Sequence, residues 1–128
     1  MPNINAALGC AQLEQLDGFV TRKRRLAQWY RSAFAGREDI RFVDEPPDCE
    51  SNFWLNAVLI PDAAERDAVL ERANTAGIQL RPAWEPMHRL PMFTNCARGE
   101  LTVTEDICNR LVNLPSGISA ANVVLDTQ

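Results

Sequence analysis

Apolar positions recur at helical spacing through the first third of the chain and in short continuous runs through its middle. Over residues 2–16, Ile4, Leu8 and Ala11 make one stripe, and Ala6, Cys10 and Leu13 make a second. Both fit the 3.6-residue repeat of a helix, and Pro2-Asn3 suits its start. The first charge is Glu14, so this helix has almost no polar face. A helix of that kind needs cover on several sides. Either it is a central core helix, or another domain or subunit covers it. The second is favoured, because a small domain has little with which to wrap its own terminus. Asp17-Gly18 marks a bend. A second helix is predicted from about Phe19 to Ala35, with Phe19, Leu26, Tyr30 and Ala33 on one face and Gly36 as its stop.

The middle of the chain changes period. Ile40–Val43 is a short strand candidate, broken by Glu45-Pro46-Pro47-Asp48. Residues 52–60 are apolar on both faces except at Asn52 and Asn56, which predicts a central strand. Pro61-Asp62 ends it. Asp62 with Glu65 resembles a capping box and opens a helix carrying Ala64, Ala68, Val69, Ala73 and Ala76, closed by Gly77. Ile78–Arg81 returns as a strand. Residues 82–93 then hold Pro82, Pro86 and Pro91, which forbid a regular helix or a central strand. Thr104-Glu105-Asp106 opens a last helix through about Asn113, with Ile107, Cys108, Leu111 and Val112 inward, and Leu114–Gly117 ends it. Residues 118–128 are weakly patterned.

This order predicts one α+β domain over residues 1–128, a small antiparallel or mixed sheet packed by helices. Its parts are the N-terminal helices 2–35, a strand–helix–strand core 40–81, a proline-rich loop 82–93 and a last helix 104–113.

Composition narrows the chemistry. The formal net charge is -4, which argues against nucleic acid or an anionic membrane as partner. No basic segment followed by an apolar run opens the chain, and no run is long enough to span a bilayer. Cys10, Cys49, Cys96 and Cys108 are scattered without a C-x-x-C pair. Free thiols and a cytoplasmic protein are expected, and no metal site.

The chain has one histidine, His88, and one lysine, Lys23. Lys23 sits in Arg22-Lys23-Arg24-Arg25, four cations spread around a helix, and is expected to be solvated rather than a Schiff-base amine. A Cys–His nucleophile pair would need His88 beside a thiol, which the sequence does not show. No glycine-rich phosphate loop is present. No catalytic residue is therefore assigned.

Binding character is concentrated between Arg81 and His88. Arg81 precedes Pro82, so its backbone is stiff, and a guanidinium there suits a phosphate or carboxylate. Trp84 suits stacking on a sugar or base, and His88 a hydroxyl or diphosphate. The competing reading makes Trp84 and Met87 core plugs and pairs Arg81 with Glu85 or another acid.

Several runs resemble one family. Met1–Gly9, Ala11–Leu16 and Arg22-Lys23-Arg24-Arg25-Leu26-Ala27 with Tyr30 resemble the opening of the C-terminal small domain in DegT/StrS-type sugar aminotransferases. Gly77–Trp84, Met87-His88 with Leu90–Phe93, and Leu114–Gly117 resemble the rest of that domain. The resemblance covers roughly residues 1–117, and its loop is most similar to enzymes that aminate keto-sugar nucleotides of the perosamine or legionaminic type.

It implies a pyridoxal-phosphate enzyme of aspartate-aminotransferase fold, a homodimer in which glutamate gives its amino group to a nucleotide-linked keto-sugar for surface polysaccharide. His88, Arg81 and Trp84 carry over as substrate contacts. The cofactor-holding lysine and its partners belong to a large domain not represented in these residues. The expected picture is thus a piece of a longer enzyme that is inactive and binds no cofactor alone, with its first helix made for the large domain and the partner subunit. A free-standing binding or dimerisation module, or an unrelated hydrolase built on His88 and a cysteine, are the alternatives.

Overall fold

A computed structural model describes residues 1–125. The chain separates into two compact units. One holds residues 1–33, 45–54 and the segment from Ser116 onward; the other holds residues 34–44 and 55–115.

The first unit is mainly helical. Helix α1 spans Asn3–Leu13 and α2 spans Leu16–Phe34. None of the α1 residues is buried; Ile4 is 78% exposed, Leu8 62% and Leu13 69%. The uncovered apolar surface anticipated from the pattern is therefore present. The central-core reading of this helix does not hold within the chain.

In α2, Leu26 and Ala27 are fully buried while the opposite side carries charge. Asp17-Gly18 does not break it. The break falls at Glu14-Gln15, and Asp17 and Gly18 lie in the first turn of α2. An aspartate near a helix N-terminus meets the positive end of the dipole, which offsets the modest cost of an adjacent glycine.

The segment 45–54 is irregular. Phe53 is buried at φ 47° and Asp48 sits at φ 62°, the left-handed region that non-glycine residues seldom adopt. The strand expected over 52–60 starts only at Asn56 for this reason. The Ser51 hydroxyl accepts from the Phe53 amide at 3.0 Å and the Asn52 side chain accepts from the Trp54 amide at 2.9 Å. These local bonds replace a strand ladder there.

The second unit is a four-stranded sheet with two helices. Strand β1 is Arg41–Phe42, β2 Asn56–Leu59, β3 Arg81–Pro82 and β4 Leu111–Leu114. Their order is β1-β2-β4-β3, and each neighbouring pair is antiparallel. All four β2 residues are buried, as expected of a central strand. Helix α3, Ala63–Thr75, opens with the Asp62 carboxylate accepting from the Glu65 amide at 2.9 Å. The expected α+β class is the one observed.

Three further elements differ from the sequence pattern. Helix α4 spans Thr102–Arg110, and Leu111 and Val112 are not helical. They begin β4, where Val58 pairs with Val112 and Asn56 with Leu114. Burial along β4 alternates, with Val112 and Leu114 buried. A short apolar run fits either period, and pairing with β2 and β3 decides it.

Strand β3 is only Arg81–Pro82 rather than 78–81. It lies at the sheet edge, where a proline removes no ladder bond that the sheet needs. Finally, Ile118–Leu125 forms helix α5, so much of the weakly patterned tail is helical. Residues 126–128 of that tail lie outside the described residues.

Candidate functional site

In the sheet unit, β3 and the loop after it build a concavity of about 360 Å³ lined by Leu55, Arg81, Ala83, Trp84, Glu85 and Asn113. Register places Arg81 opposite Asn113, and Asn113 Nδ2 donates to the Pro82 carbonyl at 3.1 Å. That bond fastens the proline residue that cannot donate to the ladder. The Trp84 indole is 72% exposed and Met87 62%, so neither is a core plug. Glu85 accepts from Arg89 Nη1 at 3.4 Å.

His88 stands elsewhere. It lies in a 3-10 turn at Met87–Arg89 and its side chain is only 15% exposed. Its Nε2 pairs with Glu105 Oε1, while Arg89 Nη2 pairs with Glu105 Oε2. Arg98 Nη1 donates to the His88 carbonyl at 3.4 Å. The structure thus brings Arg81 and Trp84 to one concavity and holds His88 against α4. No signal in the sequence pointed to Glu105 as the partner, because it is 17 residues away in the chain.

The helical unit corrects the expectation for Lys23. Its ammonium is not simply solvated. Lys23 Nζ donates to the Ser116 carbonyl at 2.7 Å, to the Trp54 carbonyl at 3.1 Å and, more weakly, to the Phe53 carbonyl at 3.5 Å. Burial pushes its pKa down from the usual lysine range. The physical reason for the miss is local: a run of four cations on α2 cannot all face water when the 45–54 segment packs across it.

Arg24 is drawn in as well. Its guanidinium meets the Glu45 carboxylate with both nitrogens, at 2.9 and 3.2 Å, and lies over the Phe53 ring, 5.6 Å from its centroid. Beside Lys23 is a second, more apolar concavity of about 480 Å³, lined by Leu16, Phe19, Val20, Asn52, Trp54 and Ile118 among others.

Among the described residues, no group of three or more His, Cys, Asp or Glu side chains is placed to hold a metal ion. No helix among them is long and apolar enough to cross a membrane. The cysteines are free, with Cys10, Cys49 and Cys96 exposed and Cys108 buried.

Arg81 and Trp84 thus stand exposed beside an edge strand of a helix-packed antiparallel sheet. Comparison with known proteins gives the chain its family. Residues 1–123 match the model of the DegT/DnrJ/EryC1/StrS aminotransferase family, and the chain belongs to that family.

It is 34% identical over 122 residues to the GDP-perosamine synthase of Escherichia coli O157:H7, covering 95% of this chain and 33% of that protein. To the dTDP-4-dehydro-2,3,6-trideoxy-D-glucose 4-aminotransferase of Saccharopolyspora spinosa it is 29% identical, covering 88% of this chain and 29% of that one. Among solved structures, the aminotransferase TlmJ of Streptoalloteichus hindustanus has the same fold, with a TM-score of 0.83 at 24% identity over 95% of this chain and 33% of its own. The chain therefore spans about a third of the length of the relatives it matches.

Proposed function

We propose that this chain is the small domain of a pyridoxal-phosphate-dependent aminotransferase that moves an amino group from glutamate to a nucleotide-linked keto-sugar in surface-polysaccharide synthesis. The single observation that carries the reading is the shared concavity of Arg81 and Trp84 on a chain of this family. In it, the Arg81 guanidinium pairs with the diphosphate, for which its fork of donors is suited. Trp84 offers an exposed ring to a sugar face or a base. His88 Nε2 is taken by Glu105, so its contact with a substrate hydroxyl runs through Nδ1.

Pyridoxal phosphate supplies the electron sink of the reaction when bound. The residues of this chain do not fit that cofactor by themselves. A Schiff base needs a free amine, and the lone lysine, Lys23, gives its ammonium to three backbone carbonyls. No step is assigned to this chain through the cofactor; the residues that hold it belong to the remaining two thirds of the longer enzyme. Helix α1 is the surface by which this domain joins the large domain and a homodimer partner, and its exposed Ile4, Leu8 and Leu13 support that role. The enzyme works in the cytoplasm.

The test is kinetic. In the complete enzyme, Arg81→Gln and Trp84→Ala each lower kcat/KM for the keto-sugar nucleotide about tenfold, roughly the 1–2 kcal/mol of one lost charged or stacking contact. The half-reaction with glutamate stays unchanged. Equal loss in both half-reactions, or loss in neither, would refute the assignment.

A further inference from the structure

Loop 82–93 is fastened to α4 at two points one helical turn apart. Glu105 and Cys108 are separated by three residues and so lie on one face of α4. Glu105 takes His88 on one carboxylate oxygen and Arg89 on the other. Cys108 Sγ stands 3.9 Å from the Trp84 carbonyl. Only residues 85–87 lie between the two attachments, and Pro86 fixes the middle of that span at φ -59°.

A segment this short, stiffened at its centre and tied at both ends, has few conformations left. Arg98 adds a third tie through the His88 carbonyl. Glu105 engages two neighbouring side chains at once, one of them the Arg89 guanidinium, which makes it the strongest of these ties.

We propose that Glu105 is a positioning residue: its carboxylate fastens the 82–93 loop to α4 through His88 and Arg89 and thereby sets where Trp84 stands in the substrate concavity. The part that concerns substrate rests on the function proposed above; the part that concerns the loop does not. Glu105 sits in the first turn of α4 and its side chain is about one-third exposed, so Glu105→Gln keeps its shape and removes its charge with little effect on packing.

Amide hydrogen exchange of the complete enzyme, read at this domain, reports the anchoring directly. The loop amides of Arg89, Leu90 and Phe93 bond to the carbonyls of Pro86, Met87 and Leu90, and in Glu105→Gln they exchange about tenfold faster. The sheet amides of Val58 and Val112 do not change. Unchanged loop exchange overturns the proposal, and so does equal acceleration of loop and sheet, which would make Glu105 a residue of general stability.

Kinetics of the complete enzyme then separate the two layers. Glu105→Gln raises KM for the keto-sugar nucleotide about tenfold and leaves KM for glutamate alone. Faster loop exchange with no change in either KM would uphold the anchor, overturn its positioning role and count against the substrate reading of the loop.

Discussion

Replacing Lys23 with methionine removes the ammonium that gathers the Phe53, Trp54 and Ser116 carbonyls and leaves the aliphatic stem in place. Two of its three bonds are well formed, at 2.7 and 3.1 Å, and the third, at 3.5 Å, is marginal. A hydrogen bond from a charged donor contributes about 1.5–3 kcal/mol. Burial of the ammonium takes part of this back, as its lowered pKa shows, so about 1 kcal/mol for each good bond is the fitting figure.

Lys23→Met should therefore cost about 2 kcal/mol, roughly a thirtyfold change in the folded-to-unfolded ratio. The strain of Phe53 at φ 47° adds to the effect, because the bonds that hold that backbone are the ones removed. Urea unfolding followed by circular dichroism measures the loss as a lower midpoint at constant slope. Arg25→Met is the control: it changes a neighbouring but exposed cation and should stay within about 0.5 kcal/mol of the parent. A Lys23→Met protein as stable as the parent, or an Arg25→Met protein equally damaged, would refute the clasp.

Leu26→Ala, at a fully buried position of α2, should lower unfolding free energy by about 2–5 kcal/mol in the same urea experiment. Asp62→Ala removes the side-chain acceptor at the start of α3 and should cost about 1 kcal/mol, while Asp62→Asn should cost much less. Burial raises the Tyr30 pKa above its ordinary value of 10.0. The unfolded chain then loses the phenolic proton first, so Tyr30 contributes stability that is present below pH 10 and is lost as pH rises through its folded pKa. Tyr30→Phe should flatten the fall in stability above pH 10 seen by thermal melts at a series of alkaline pH values.

Helices were the most legible part of the sequence. Asp62 with Glu65 located the start of α3 because capping depends on residues three apart in the chain. The missing polar face of α1 was also readable from its own residues, none of which the structure buries. The sheet was less legible. Residues 111–113 look like the end of α4 because so short a run cannot separate a 2.0 from a 3.6 repeat.

At the candidate site, Arg81 and Trp84 could be found locally, from a stiff X-Pro step and an exposed aromatic in a proline-rich loop. Glu105 and Asn113 could not. Their partners are distant in sequence, and only the antiparallel register and the packing of the loop on α4 bring them in. Lys23 was misread for the same reason: the carbonyls at 53, 54 and 116 are invisible from its own neighbours.

The position of β4 has a consequence for how the sheet unit is made. The last strand in sequence is inserted between β2 and β3, so during synthesis β2 and β3 have no shared partner until residue 114 leaves the ribosome. Until then the edges of β2 and β3 that β4 will join are open to pairing with other chains. A protein shortened at Arg110 would keep every helix of this unit yet have no continuous sheet, and it should aggregate rather than fold to a smaller native state.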